Sequence, residues 1–186
     1  MLNSDFIKKS VPRFTQGSFL KTLMESQAPK SLCDGHTGKT VSILRRGSAS
    51  GPLIGGNLSI LCTTIGTPYQ PNFKKAILFF EDLAEAPYRF DRMLTHLLNA
   101  GVLQQVAGVA AGTNADCEDP KAKGAKEYRQ TLEDVLKERL LPLRVPIVSG
   151  LPFGHVRHNA TLPIGVHATL DANAGDLIIE EAAVTV

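Results

Sequence analysis

Three stretches set polar, chemically competent residues against apolar runs. The first, Glu81-Asp-Leu-Ala-Glu-Ala-Pro-Tyr-Arg89, follows the apolar run Ala76 to Phe80. It puts three carboxylates beyond a buried strand, where α/β proteins gather their functional loops. Such a cluster suits metal or acid/base chemistry. It equally suits Glu85 at the start of a helix opening at Pro87, with Glu81 paired to Arg89 or Arg92. The second is Gly154-His-Val-Arg-His158, in a loop closed by Pro152 and Pro163. An imidazole beside glycine at a strand end has room for a partner and titrates near neutrality, although a lone histidine such as His155 is more often structural or merely exposed. The third is Gly55-Gly56-Asn57 at a helix start. Backbone there can approach a ligand, and free N–H groups favour an anion such as a carboxylate, making Gly56 and Asn57 candidate substrate contacts. A tight turn plus an N-cap explains the same three residues.

A histidine and a carboxylate make two thirds of a nucleophile–base–acid arrangement. For the missing third, Cys62 falls on the apolar face of its helix and reads as core. Cys117 lies in a polar loop among Asp116, Glu118 and Asp119, whose charge disfavours a thiolate. Ser48 and Ser50 precede the glycines without a G-x-S-x-G turn. No resident nucleophile stands out. His36, His96, His158 and His167 have weaker claims than His155, and His96 is expected to face solvent. Three cysteines without C-x-x-C spacing argue against a disulfide framework and against a structural zinc site.

The elements needed to position these groups alternate. Pro12, Gly17 and Pro29 bracket a helix from Ser18 to Ser26, with Phe19, Leu20, Leu23 and Met24 as its apolar face. Val41 to Leu44 reads as a strand, and Ser48 to Gly56 as a Gly/Ser-rich loop. Asn57 caps a helix carrying Leu58, Leu61, Cys62 and Ile65 at i, i+3, i+4, i+7. Ala76 to Phe80 is a buried strand, and Pro87 opens a helix ending before Gly101. Val106 to Gly112 is a second buried strand. After a polar loop, Glu127 to Leu140 is a helix with Tyr128, Leu132, Val135 and Leu136 on one face and a Glu133–Lys137 pair on the other. Pro146 to Gly150 is a strand, and Leu162 to Leu170 with Asp176 to Val186 forms a hairpin turning near Asn173 to Gly175. This pattern is that of a mixed α/β domain.

Length and composition agree. The 186 residues, 43% hydrophobic, can bury one substantial core. Residues 1–50 hold eight Lys/Arg against three Asp/Glu, but Lys8, Lys9, Arg13 and Lys21 are too scattered for a nucleic-acid footprint. No h-region and no run of 18 apolar residues occurs, so neither nucleic acid nor membrane is an expected partner and a cytoplasmic setting is the simplest expectation.

Gly51-Pro-Leu-Ile-Gly-Gly-Asn-Leu58, Ile65-Gly-Thr-Pro68, Ile77 to Leu94, Pro152-Phe-Gly-His155 and Leu162-Pro-Ile-Gly165 together resemble the LD-carboxypeptidase family of murein tetrapeptide carboxypeptidases and microcin C immunity peptidases. The resemblance implies a swivelling β/β/α-type mixed sheet, the family's C-terminal half. It implies a metal-free Ser–His–Glu triad in which Glu81 orients His155, with terminal D-alanine released from a peptidoglycan-derived tetrapeptide. The family's serine and oxyanion hole lie in an N-terminal domain, and the opening Met1 to Phe6, including Ser4-Asp5, resembles the segment after it. Residues 1–38 are therefore expected as a connector and helix at the junction with that nucleophile domain, and 39–186 as the C-terminal domain. The chain alone is expected to be inactive, with an apolar face including Phe19, Leu20 and Leu23 left exposed, and a homodimer is expected. The alternatives are a stand-alone non-catalytic binding module and a microcin C-type immunity peptidase. The latter calls for an aromatic platform near Glu81, where Tyr69 and Tyr88 are the nearby tyrosines and Trp is absent.

Overall fold

Ile77–Glu81 is buried at every position, which requires a strand covered on both faces. The computed structural model describes residues 10–36, 41–118 and 130–185. It runs α1 (Arg13–Met24), β1 (Lys30–Ser31), β2 (Ser42–Arg45), β3 (Ser48–Asn57), α2 (Leu58–Thr64), β4 (Ile77–Glu81), α3 (Pro87–Asn99) and β5 (Gly108–Thr113). Then come α4 (Leu132–Leu140) with a 3-10 turn at Leu141–Leu143, β6 (Ile147–Gly154), β7 (His167–Asp171) and β8 (Asp176–Ile179). The expected boundary at 38/39, Tyr128 and the opening Met1 to Phe6 lie outside the described residues.

The eight strands form one mixed sheet in the order β1-β8-β7-β3-β4-β5-β6-β2. β3 to β6 run parallel, and the flanking strands pair antiparallel. The mixed α/β architecture expected from the sequence is the one observed. Helices α2, α3 and α4 pack Leu58, Phe90, Leu94, Leu97 and Val135 onto Leu78, Phe80 and Val109. The opposite face buries Ile77, Phe79, Val148 and Phe153 with Leu170, Leu177 and Ile179. Residues 10–36 reach this second face: Phe14 and Leu32 pack into it, and β1 extends the sheet beside β8.

Ser48 to Gly56 is not a loop. It is nearly all of β3, whose first half pairs antiparallel with β7 while its second half pairs parallel with β4. Glycine and Pro52 lower strand propensity and hide it in the sequence. The glycines answer a spatial demand, because a Cβ on Gly55 would stand 1.7 Å from the Phe79 carbonyl oxygen on β4. The strand expected at Pro146 to Gly150 likewise continues to Gly154, with register irregularities against β5 that carry it onward as bulges do. Helix α4 starts at Leu132, where Thr131 and Asp134 form a capping box, and the expected start at Glu127 lies outside the described residues. The Glu133–Lys137 pair, the Asn57 cap and the Pro87 helix start are as expected, and the β7–β8 hairpin forms with strands shorter than expected, His167–Asp171 and Asp176–Ile179.

Helix α1 begins five residues before the expected Ser18; Leu20 and Leu23 are exposed as expected, and the side it buries is polar. Thr15 and Thr22 are 2% and 1% exposed, whereas Leu20, Leu23 and Met24 are 45%, 41% and 73% exposed. The helix docks through a polar stripe because the Thr15 and Ser18 hydroxyls bond the 157–161 backbone. Phe19 is half-buried.

The Thr22 hydroxyl is buried without a partner, so the isosteric Thr22→Val should raise the unfolding free energy by about 1 kcal/mol in urea titration. Gly17 sits within α1 with open space around its Cβ position, and Gly17→Ala should add about 0.5–1 kcal/mol in the same measurement.

Candidate active site

Because β3, β4, β5 and β6 are parallel, their carboxyl ends open on one edge of the sheet. Asn57 ends β3 in register with Glu81 at the end of β4, and Thr113 at the end of β5 is in register with Gly154 at the end of β6. His155 and Asn114 come next. Ligands of open α/β sheets bind at such strand ends.

The structure brings Glu81 and His155 together: Nδ1 of the imidazole lies 2.7 Å from Glu81 Oε2. The Glu81 side chain is 9% exposed and that of His155 32%. With Glu81 ionised, Nδ1 carries the proton and donates it to Oε2, leaving Nε2 as the acceptor for a second group. Arg89 does not compete for Glu81, being paired with Glu85 at 2.9 Å. Gly154 makes the approach possible: at φ +120°, a Cβ there would lie 2.7 Å from Thr113 O and 3.1 Å from Glu81 Oε2.

Beneath this pair lies a polar network. Asn57 Nδ2 donates to Asp82 Oδ1 at 2.8 Å and, more weakly, to Glu81 Oε1 at 3.4 Å. Asn57 Oδ1 accepts from Ser59 Oγ and from the Ile60 N–H, capping α2. Asp82 Oδ2 accepts from the Ser59 N–H at 2.9 Å, and the Asp82 N–H donates to Asn114 Oδ1 at 3.0 Å. Two first-turn N–H groups of α2, expected to meet an anionic ligand, thus already meet Asp82 and Asn57. Gly56 and Asn57 both line a cleft of about 340 Å³ beside Glu81, walled by Phe19, Phe79, Phe153 and Leu162. No atom lies within 4 Å of a Cβ built on Gly56, so its backbone stays approachable.

Sequence reasoning does not single out Asn114, Asn159 or Thr15 as site residues. The position of Asn114 just beyond a parallel strand is the available signal; Thr15 carries none. Cys117 lies in the segment after β5, as expected, and is buried. Its thiol points at the Ala115 and Asp82 carbonyls and is pushed up to about 11, by burial first and then by the Asp82 and Glu85 charges. Burial, with Asp82, also pushes the half-buried Cys62 thiol up to about 11; burial, with Asp176, pushes Cys33 up to about 12. None supplies a thiolate near neutrality. Ser50 is engaged with Thr169, and among the described residues no hydroxyl or thiol is hydrogen-bonded to His155. His96 is exposed, His167 pairs with Glu180, and His36 and His158 pack around Phe14. Among the described residues no group of three or more His, Cys, Asp or Glu could hold a metal ion, and no helix is long and apolar enough to cross a membrane.

The family model for the LD-carboxypeptidase C-terminal domain matches residues 50–170. The murein tetrapeptide carboxypeptidase of Pseudomonas aeruginosa is 35% identical over 126 residues, covering 66% of this chain and 38% of that protein. The probable murein peptide carboxypeptidase of Bacillus subtilis is 31% identical over 180 residues, covering 97% and 54%. Among solved structures, muramoyltetrapeptide carboxypeptidase from Oxalobacter formigenes superposes with a TM-score of 0.79 at 30% identity, covering 98% of this chain and 60% of that one. The microcin C7 self immunity protein MccF, bound to aspartyl sulfamoyl adenosine, shares the fold with a TM-score of 0.75 at 22% identity, over 96% and 58%. The chain belongs to the LD-carboxypeptidase family and represents its C-terminal domain. It spans about half the length of the curated relatives it matches.

Gly154→Ala should lower the unfolding free energy by about 2 kcal/mol, measured by urea titration, because the new methyl meets both a strand carbonyl and the Glu81 carboxylate.

Proposed function

We propose that this chain is the C-terminal half of a serine-type LD-carboxypeptidase acting on peptidoglycan-derived tetrapeptides in cytoplasmic murein recycling. The Nδ1–Oε2 hydrogen bond between His155 and Glu81 carries this reading. It leaves Nε2 to take a proton from a serine hydroxyl as that oxygen attacks the carbonyl of the L-to-D peptide bond. The same nitrogen then returns the proton to the departing amine of D-alanine, while Glu81 stabilises the intervening imidazolium. Water attack on the acyl-enzyme, again through His155, completes the cycle. The serine and the oxyanion hole belong to an N-terminal nucleophile domain that this chain does not contain. The relatives' greater length and the exposed Leu20, Leu23 and Met24 on α1 support such a partner. A homodimer of the complete enzyme fits the same reading.

The test measures D-alanine release from murein tetrapeptide by the chain alone and by the chain combined with the nucleophile domain of its Bacillus relative. The chain alone should be silent and the combination active. His155→Ala should then lower kcat by at least about 1,000-fold, and Glu81→Gln by a similar order. Hydrolysis by the chain alone that survives replacement of all its serines would overturn the proposal.

A further inference from the structure

His155 stands just past the last residue of β6, and the residue before it is the one with the greatest backbone freedom. Gly154 has φ +120°, so the sheet ladder alone does not dictate where the imidazole points. Helix α1 holds the loop that carries it. The Thr15 hydroxyl donates to the Arg157 carbonyl at 3.0 Å and accepts from the Asn159 N–H at 2.9 Å. Asn159 then turns back, its Oδ1 accepting from the Gly154 N–H at 3.1 Å. One helical turn further along α1, Ser18 Oγ accepts from the Thr161 N–H at 2.9 Å. The chain thus leaves the sheet at Gly154, is pinned at 157, 159 and 161, and is tied back to its own point of departure. His155 lies inside that closed circuit.

We propose that Thr15 is a positioning residue for His155, acting through Asn159 to hold the imidazole against Glu81. A buried hydroxyl using both its donor and its acceptor capacity, between segments more than 140 residues apart, fixes direction as well as contact. A valine of the same shape would fill the space and hold neither backbone group. Helix α1 is in this sense part of the active site. Its exposed apolar side and its buried polar side serve different partners: the first is open to solvent here, the second sets the histidine loop. The inference rests on the reading of His155 as the general base, but its physical content, the orientation of the imidazole, is measurable without turnover.

The test compares Thr15→Val, Thr15→Ser and Asn159→Ala in the full 186-residue chain. Ring 15N shifts report the His155 tautomer, amide exchange reports Gly154 and Asn159, and urea titration reports global stability. The parent chain should show the Nδ1–H form. Thr15→Val should mix the two tautomers and speed Asn159 exchange at least tenfold, and Thr15→Ser should restore both. Asn159→Ala, which leaves α1 untouched, should mix the tautomers as well, and decides the matter if Thr15→Val fails to fold. A pure Nδ1–H form in both Thr15→Val and Asn159→Ala overturns the proposal. In the combined two-domain enzyme, Thr15→Val should lower kcat about tenfold with KM little changed. Failure of the combined enzyme to cleave tetrapeptide, with the tautomer changes intact, would sink the functional reading and leave the positioning role standing.

Discussion

A carboxylate at the end of a strand buried on both faces needs partners to remain charged. Glu81 is in that position, 7% exposed, and the ends of four parallel strands converge on it. β6 supplies the imidazole, β3 supplies the Asn57 amide, and Asn114 after β5 holds the neighbouring Asp82 backbone. Asp82 in turn takes the stronger of the Asn57 bonds and an N–H from the first turn of α2. Two adjacent acids therefore divide the work, with Asp82 tying helix and strand ends together beneath while Glu81 faces the histidine.

Close backbone approach is the second condition. Gly55 beside Phe79 and Gly154 beside Thr113 and Glu81 occupy places where any side chain would collide. These glycines let the strand ends crowd near enough for a 2.7 Å contact between side chains from β4 and the end of β6. The same crowding explains how β3 serves two neighbours, its first half continuing the antiparallel part of the sheet and its second half the parallel part. That single strand joins the half of the sheet carrying the site to the half packed beside β8 and β1.

Helix α1 shows how polar contacts can decide a helix's orientation. Its hydroxyls find backbone partners in the loop after β6, partners that only the folded chain provides, and three large apolar residues are left outside as a result. Leaving them exposed has an energetic cost of a few tenths to a few kcal/mol each, of the size that docking against another apolar surface recovers.

Local sequence is enough for the features set by local physics. Asn57 as an N-cap, Pro87 as a helix start, the buried run at Ile77 and the hairpin after His167 depend on neighbours a few residues away, and they are legible. The family is recognisable too, because its motifs are contiguous. Ser48 to Gly56 misleads because glycine required by an adjacent strand has the same composition as glycine required by a turn. The exposed apolar side of helix α1 is legible from periodicity, but its start at Arg13 and the polar side that meets the loop after β6 are not, because Thr15 and Ser18 find their partners only in the folded chain. Which of Glu81, Asp82 and Glu85 meets the imidazole is likewise undetermined by the residues themselves. That choice joins positions 74 apart, and only the register of β4 and the path of β6 make it.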